Sequence, residues 1–270
     1  MRRPSLLALT VVAAALPALA LAAPVATSVP VPGSFDRVDS RGDFDVEVRE
    51  GTPASIEILA EPGMAERVAV DLAGSELRLS RKREFDSAKG IVVRVVLPSF
   101  RGLSVGGSGN GTAESGPSPR DVRLGVSGSG SLSWKGAADA LDAGVSGSGR
   151  LRADGPSRKL SLAISGSGTG EVQGVDGPAS VSISGSGDAR IGGKGESLKV
   201  AVAGSGGLDA KGFAARDASV RIAGSGDVEL RLAGGTLDAS IAGSGNVTWS
   251  GEGRLGAVST AGSGRVKQAR

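Results

Sequence analysis

Apolar and polar residues alternate in short runs from residue 34 onward. Phe44, Val46 and Val48 alternate with Asp45 and Glu47, and Glu50-Gly51-Thr52-Pro53 then supplies a turn. Similar runs follow at Ile56 and Ile58, at Val68, Val70 and Leu72, at Leu77 and Leu79, and in the denser stretch from Ile91 to Leu97. A period of two predicts short, half-buried β-strands. Residues 34–106 are therefore predicted to be an N-terminal β region with no more than one helical turn.

Beyond residue 106 the alternation becomes periodic, because a Gly-Ser-Gly triplet returns every 19 to 21 residues. The triplets begin at Gly107, Gly128, Gly147, Gly166, Gly185, Gly204, Gly224, Gly243 and Gly262. A flexible linker has no need of such regularity. A fixed period near 20 is typical of a solenoid, in which each repeat buries its apolar face against its neighbours.

Each repeat follows one pattern of apolar positions and glycines. Apolar residues stand two and four positions after the triplet, for example Leu132 and Trp134, and a glycine such as Gly136 usually follows. A second alternating run then leads to the next triplet. The predicted fold is therefore all-β: a single-stranded parallel β-helix, or solenoid, with rungs of about 19 residues over 107–270. The N-terminal β region is predicted to continue or cap it.

The triplets predict a tight corner, since glycine allows a positive φ and close backbone approach. The corner serines are predicted to stack in a structural ladder, with hydroxyls able to hydrogen-bond along the rod; they are Ser108, Ser129, Ser148, Ser167, Ser186, Ser205, Ser225, Ser244 and Ser263. A ligand-binding stripe along the same column is the alternative. Trp134 and Trp249 fall at inward positions, which favours core packing over sugar stacking.

The N-terminus predicts export. Arg2 and Arg3 precede an apolar, alanine-rich run that ends in small residues, so residues 1–23 are predicted to be a cleaved signal peptide and 24–33 a Pro-rich leader. No second long apolar run follows, which predicts no stable membrane insertion after cleavage. The expected location is the periplasm or the cell surface and exterior.

Composition removes several classes of function. The chain has no His, Cys or Tyr, which excludes disulfides, His/Cys zinc sites and Ser-His-Asp catalysis. The net charge of +3 includes Arg2 and Arg3 and forms no basic stripe, so no nucleic-acid partner is expected.

Carboxylates are the chemistry that remains, and they do not gather on adjacent rungs in the sequence. Asp188 and Asp227 share a position, but Gly207 stands between them; Glu171 and Glu229 share another, three rungs apart. Such spacing indicates solvated surface charge. We therefore expect no catalytic, cofactor-binding or metal-binding residues, no cofactor, and no enzymatic activity.

The repeats resemble those of a bacterial family, the auto-transporter adhesin, head GIN domain. The resemblance is carried by segments such as Val-Ser-Gly-Ser-Gly-Ser-Leu (126–132) and Ile-Ala-Gly-Ser-Gly-Asp-Val (222–228), by the closing stretch 237–251, and by the order of strands from Phe35 to Leu97. It covers about residues 34–267, which would form one family domain. It implies an exported β-helix shaped like pectin lyases, without a recognised catalytic set and of adhesive character.

Together these features predict an exported bacterial β-solenoid with a non-catalytic binding, adhesion or envelope-scaffolding role. The expected partners are a glycan or an envelope protein, and oligomers are compatible with the pattern. Two alternatives stay open: a polysaccharide-active enzyme of pectin-lyase-like fold, and a structural assembly module. The sequence does not name the ligand.

Overall fold

The computed structural model describes residues 24–117 and 120–269, so the predicted signal peptide (1–23) lies outside the described residues. The fold prediction is confirmed: the described chain is almost entirely strand, wound into a β-solenoid of about nine turns. The one helical element within these described ranges is a 3₁₀ turn at Ala65–Arg67.

The N-terminal strands are short. They are β1 (Val25–Val29), β2 (Arg37–Gly42), β3 (Asp45–Glu50), β4 (Ser55–Ala60), β5 (Val68–Ala73), β6 (Glu76–Arg81), β7 (Val92–Leu97), β8 (Gly102–Gly107) and β9 (Asn110–Glu114).

The repeat strands lengthen along the chain, and the last four long ones continue around a corner. They are β10 (Val122–Gly128), β11 (Ser131–Lys135), β12 (Leu141–Gly147), β13 (Arg150–Ser157), β14 (Leu160–Gly166), β15 (Thr169–Asp176), β16 (Ala179–Gly185), β17 (Asp188–Gly204), β18 (Gly207–Gly224), β19 (Asp227–Gly243), β20 (Asn246–Gly262) and β21 (Arg265–Gln268).

Equivalent strands pair in parallel and form two ladders along the rod. Ladder A contains the strands that lead into a corner: β6, β2, β8, β10, β12, β14, β16 and the C-terminal halves of β17 to β20. Ladder B contains those that leave it: β7, β3, β9, β11, β13, β15, the N-terminal halves of β17 to β20, and β21. Inward positions of both ladders fill one continuous core.

The first rungs stack out of chain order. β2 pairs with β6 on one side and with β8 on the other, and β3 likewise lies between β7 and β9. The rung at 37–50 therefore lies between the rungs at 76–97 and 102–114. Buried Phe100 lies in the connection that crosses it, where the Arg101 N–H donates to the Asp36 carbonyl oxygen at 2.8 Å.

Antiparallel strands close the N-terminal end of the rod, so this region both continues and caps the solenoid. β5 pairs antiparallel with β6, while β4 pairs with β7 and β1 with β4. Part of the predicted Pro-rich leader is thus strand β1, which Pro30 and Pro32 follow. Proline lacks the N–H that a further ladder bond requires.

The other end of the rod is less covered. Among the described residues, the C-terminal half of β20 pairs only with β19, and β21 only with β20. Leu255 and Val258 lie at inward positions of this last rung and are 46% and 45% exposed. Their partners in the preceding rung, Leu237 and Ala239, are buried.

Candidate functional site

The nine corner serines form an exposed column where ladder A turns into ladder B. The hydrogen bonds along this column run between backbone groups. Ser148 N–H donates to the Gly128 carbonyl oxygen of the preceding rung at 2.9 Å, and Ser167 N–H does the same to Gly147. In the described part of the chain, the corner serine hydroxyls make no side-chain hydrogen bond that would reinforce this backbone ladder.

Glycine is required at these corners both because the backbone has a positive φ and because the preceding rung leaves no room for a Cβ atom. Gly147 has a φ of +107°, and a Cβ there would lie 2.6 Å from the Gly128 oxygen. A Cβ on Gly149 would lie 2.5 Å from a methyl carbon of Val126. The triplet therefore keeps successive rungs in contact and leaves only the serine side chain facing solvent.

Ladder B carries two columns of outward residues beside this corner. The first, directly after the corner, contains Asn110, Ser131, Arg150, Thr169, Asp188, Gly207, Asp227, Asn246 and Arg265. The second contains Thr112, Ser133, Arg152, Glu171, Arg190, Asp209, Glu229, Thr248 and Lys267. Polar and charged groups thus recur at every rung.

A groove of about 550 Å³ runs over five rungs of these columns. Its lining combines buried Leu151, Ala189 and Leu208 with outward Arg150, Thr169, Glu171, Asp188, Arg190, Asp209, Asp227 and Glu229. Gly207 has no side chain to fill the space between Asp188 and Asp227. The first column of the groove therefore has a gap at this rung.

The first-column carboxylates are fixed by the next rung. Asp188 Oδ1 accepts from the Gly207 N–H at 3.0 Å. Asp227 Oδ1 accepts from both the backbone N–H and the side-chain Nδ2 of Asn246, at 3.0 and 2.9 Å. Each carboxylate is therefore oriented by a hydrogen bond from the rung that follows it.

The second column is an ion-pair ladder. Arg152 contacts Glu171 at 2.9 Å, Arg190 contacts Asp209 at 3.2 Å, and Lys211 bridges Asp209 and Glu229. Hydrogen bonding and charge from Asp154, with Glu171, raise the pKa of Arg152, and Glu229 with Asp209 does the same for the pKa of Lys211. Both cations are held in their charged form.

The structure corrects one expectation about the acids. Asp209 and Glu229 lie directly opposite each other on adjacent rungs, so paired carboxylates do occur on one face. The signal is present in the sequence, because counting three positions after each triplet places Asp209 between Arg190 and Glu229. Within residues 24–117 and 120–269, no group of three acids lies close enough to hold a metal ion.

The two tryptophans are core residues, as predicted. Trp134 is fully buried, and its Nε1–H donates to Ser115 Oγ at 3.2 Å. Trp249 is 4% exposed, and its buried Nε1 has no partner in the described chain. Neither ring is available to stack on a sugar.

Sequence comparison identifies the family to which these rungs correspond. The family described as "Putative auto-transporter adhesin, head GIN domain" matches residues 34–176 and 177–253. The chain belongs to this family. No curated protein matches it.

Solved structures share the head GIN fold of this chain. One, described as a "Putative lipid binding protein" from Parabacteroides distasonis, has 20% identity and a TM-score of 0.68 over 92% of this chain and 97% of its own. A "putative adhesin" from Parabacteroides merdae has 20% identity and a TM-score of 0.67 over the same shares. Another "putative adhesin", from P. distasonis, has 20% identity and a TM-score of 0.68 over 92% of this chain and 98% of its own. At this identity the likeness shows the fold alone.

A search of the described residues for a helix long and apolar enough to cross a membrane finds none.

Proposed function

We propose that this chain is an exported bacterial binding protein whose ladder B groove holds an extended glycan without cleaving it. The observation that carries the proposal is the groove itself, to which each of five rungs contributes at least one carboxylate or guanidinium group. Adhesin descriptions of the family and of two structural neighbours support a non-catalytic binding role.

The chemistry of the groove suits a polyhydroxylated chain. Carboxylates accept and guanidinium groups donate hydrogen bonds, and a sugar hydroxyl can make both kinds. Parallel rungs repeat about every 4.8 Å, which offers the same groups at regular intervals to a ligand that is itself periodic. Buried Leu151 and Leu208 lie beneath the groove between these groups.

A non-catalytic role is favoured by the engagement of the acids. Glu171 holds Arg152, while Asp209 and Glu229 share Lys211. Glycoside hydrolysis by paired carboxylates needs one acid as proton donor and the other free to act as base or nucleophile. Asp209 and Glu229 are nevertheless the adjacent pair with which cleavage would be tested.

The experiment starts from the full chain, expressed with its own residues 1–23 in a bacterial host and purified from the periplasm. Loss of those residues, measured by intact mass, tests the predicted signal peptide. The purified protein is then applied to an array of bacterial and host glycans, with new reducing and unsaturated ends measured in the same wells.

Retention on defined glycans without new ends is the expected result. The double variant Asp188→Asn with Asp227→Asn should weaken that retention roughly tenfold, equivalent to about 1.4 kcal/mol. Asp238→Asn is the matched control: Asp238 Oδ1 also accepts an N–H of the next rung, from Ala257 at 2.8 Å, but on ladder A.

Other outcomes would be decisive too. New ends that disappear in the Asp209→Asn and Glu229→Gln variants would replace the binding role with polysaccharide cleavage. Equal loss in the Asp238→Asn control would show that the groove is not the site. No retention on any glycan would contradict the glycan proposal and shift attention to envelope proteins.

A further inference from the structure

The large apolar side chains that the described chain leaves exposed lie at the two ends of the rod. Val25 and Val31 are 51% and 38% exposed beside the N-terminal end, and Leu255 and Val258 are 46% and 45% exposed at the other. Between the ends, inward residues are buried. The apolar surface available for a partner is thus concentrated where rungs stop.

Both ends also present strand edges with unpaired backbone groups in the described chain. At the N-terminal end, β5 pairs only with β6 and β1 only with β4. At the C-terminal end, the second half of β20 and β21 each have one partner. Such edges are templates for pairing with another strand.

The N-terminal end contains a groove that apolar side chains of a partner would fill. It has a volume of about 660 Å³ and lies between β1 and β4 on one side and β5 on the other. Its apolar lining includes Val29, Ile58, Val68 and Val70. Leu255 and Val258 of another copy are aliphatic residues of suitable size for this lining.

The groove at the N-terminal end and the last rung at the C-terminal end differ in the sign of their charge. Exposed Glu66 and Asp71 line the N-terminal groove, with one lysine, Lys82. The C-terminal rung carries exposed Arg254, Arg265 and Lys267, with one acid, Glu252. Glu66, Asp71, Arg254, Arg265 and Lys267 are in no ion pair within the described residues.

We propose that the C-terminal end of one copy docks on the N-terminal end of another, so that rods join head to tail. β21 of the incoming copy then adds parallel to β1, and Leu255 and Val258 in the second half of its β20 lie over the groove beside β5. A tail-to-tail pair is disfavoured, because Arg265 and Lys267 would oppose their own copies, and like charges opposite each other destabilise a sheet. A heterologous contact of this kind does not close, so it gives open-ended chains.

The test measures the mass of the periplasmically purified full chain by light scattering and sedimentation over a wide range of concentration. Average mass should rise with concentration through dimer to longer species, and rise less in high salt. Leu255→Asp should weaken association roughly tenfold. Lys199→Glu, an exposed charge reversal in the middle of the rod, is the matched control and should have no effect.

Charge reversal at each end identifies the geometry. A variant with Glu66→Lys and Asp71→Lys should be monomeric, and so should one with Arg265→Glu and Lys267→Glu, because both ends then carry the same sign. An equimolar mixture of the two should associate again, since each opposed pair of ends becomes complementary. Circular dichroism of each variant checks that it is folded.

Other results overturn the proposal. A wild-type chain that stays monomeric at every concentration contradicts it. Tail-to-tail pairing would instead give a dimer that does not grow with concentration. That dimer would survive the Glu66→Lys, Asp71→Lys change and would be unaffected by mixing. None of these outcomes depends on glycan binding, so this inference and the proposed function can fail separately.

Discussion

The N-terminal region (residues 24–101) and the repeat array (102–269) build the same pair of ladders by different means. In the array every first corner is Gly-Ser-Gly. The rung at 37–50 turns instead at Gly42-Asp43-Phe44, where Gly42 pairs with Gly107 and the Gly109 N–H donates to the Gly42 oxygen. The Phe44 ring, buried in the core, stands close to Gly42. The geometry of a rung therefore does not require the repeat motif.

What differs is how each region makes its contacts specific. In the array the same backbone hydrogen bonds recur at every corner, and the side-chain contacts between rungs lie mainly on the outer surface. The N-terminal region uses individual side chains: Asp43 accepts from Ser87 Oγ and the Ala88 N–H, and Glu50 accepts from Arg120 at 2.7 Å. Specific side-chain contacts are needed there because the rungs stack out of chain order.

The largest expected effects come from removing buried rings, one in each region. Phe100→Ala and Phe213→Ala should each lower the free energy of unfolding by about 3 to 5 kcal/mol, since both rings are fully buried. Hydrogen exchange should separate them. Phe213→Ala should loosen its neighbouring rungs, as expected for a solenoid, whereas Phe100→Ala should loosen all three of the rungs at 37–50, 76–97 and 102–114. Identical exchange patterns would contradict the comparison.

Substitution of a corner glycine should destabilise the protein more than substitution of a strand glycine in the same rung. Gly147→Ala adds a Cβ 2.6 Å from a backbone oxygen at a φ of +107°, and should cost about 2 to 4 kcal/mol from overpacking and strain. Gly144→Ala is the control, because nothing lies within 4 Å of its added Cβ. It should be neutral or slightly stabilising. Denaturant unfolding of both variants tests this difference, and an equal fall in the two midpoints would contradict it.

The corner at Asp43 should make the N-terminal region sensitive to acid. Burial alone would raise the pKa of the Asp43 carboxyl, but the Ser87 hydroxyl, the Ala88 N–H and the charge of Arg81 outweigh it and hold the pKa below its ordinary 3.8. A lowered folded-state pKa stabilises the protein above 3.8, and that stability is lost as the pH falls through the lower value.

Asp43→Asn should accordingly cost about 1 to 2 kcal/mol at pH 7, the scale of a lost charged hydrogen bond. The difference from the parent should shrink as the pH falls below 3.8. Unfolding curves measured across that range test it, with Asp142→Asn as an exposed control. A gap that stays constant with pH would exclude the titration of Asp43 as its cause.

The smallest effect on stability is expected on the ladder B surface. Arg152→Ala removes ion pairs to Asp154 and Glu171, but such exposed pairs contribute little to folding. The midpoint of denaturant unfolding should not move measurably, while glycan retention, which involves neighbouring Glu171, should decrease. A clear loss of stability would mean that this column serves the fold rather than a ligand.

The fold of the array was predictable because the same pattern of apolar residues and glycines recurs in every repeat. Alternation gave the inward residues, including both tryptophans, and the triplets gave the corners. The stacking of the rung at 37–50 between later rungs was not predictable, because Gly42-Asp43-Phe44 shows no triplet and each strand there reads as an ordinary period of two. The groove is partly predictable from the sequence, because the triplets align Asp188, Gly207 and Asp227 on successive rungs. The pairing of Asp209 with Glu229 is harder to recognise, because the polar residues of that column change type from rung to rung.

The rung at 37–50, which lies between two rungs that come later in the chain, makes the N-terminal end of the rod different from the rest. A chain that emerges N-terminus first makes residues 37–50 before either of the strands that flank them, so this rung is completed only after Gly102–Glu114 has appeared. From that point each new rung needs only the one before it. We therefore expect the rungs to form in order from this end toward the C-terminus. A 19-residue unit gained or lost farther along would change the length of the rod without disturbing the end where it starts.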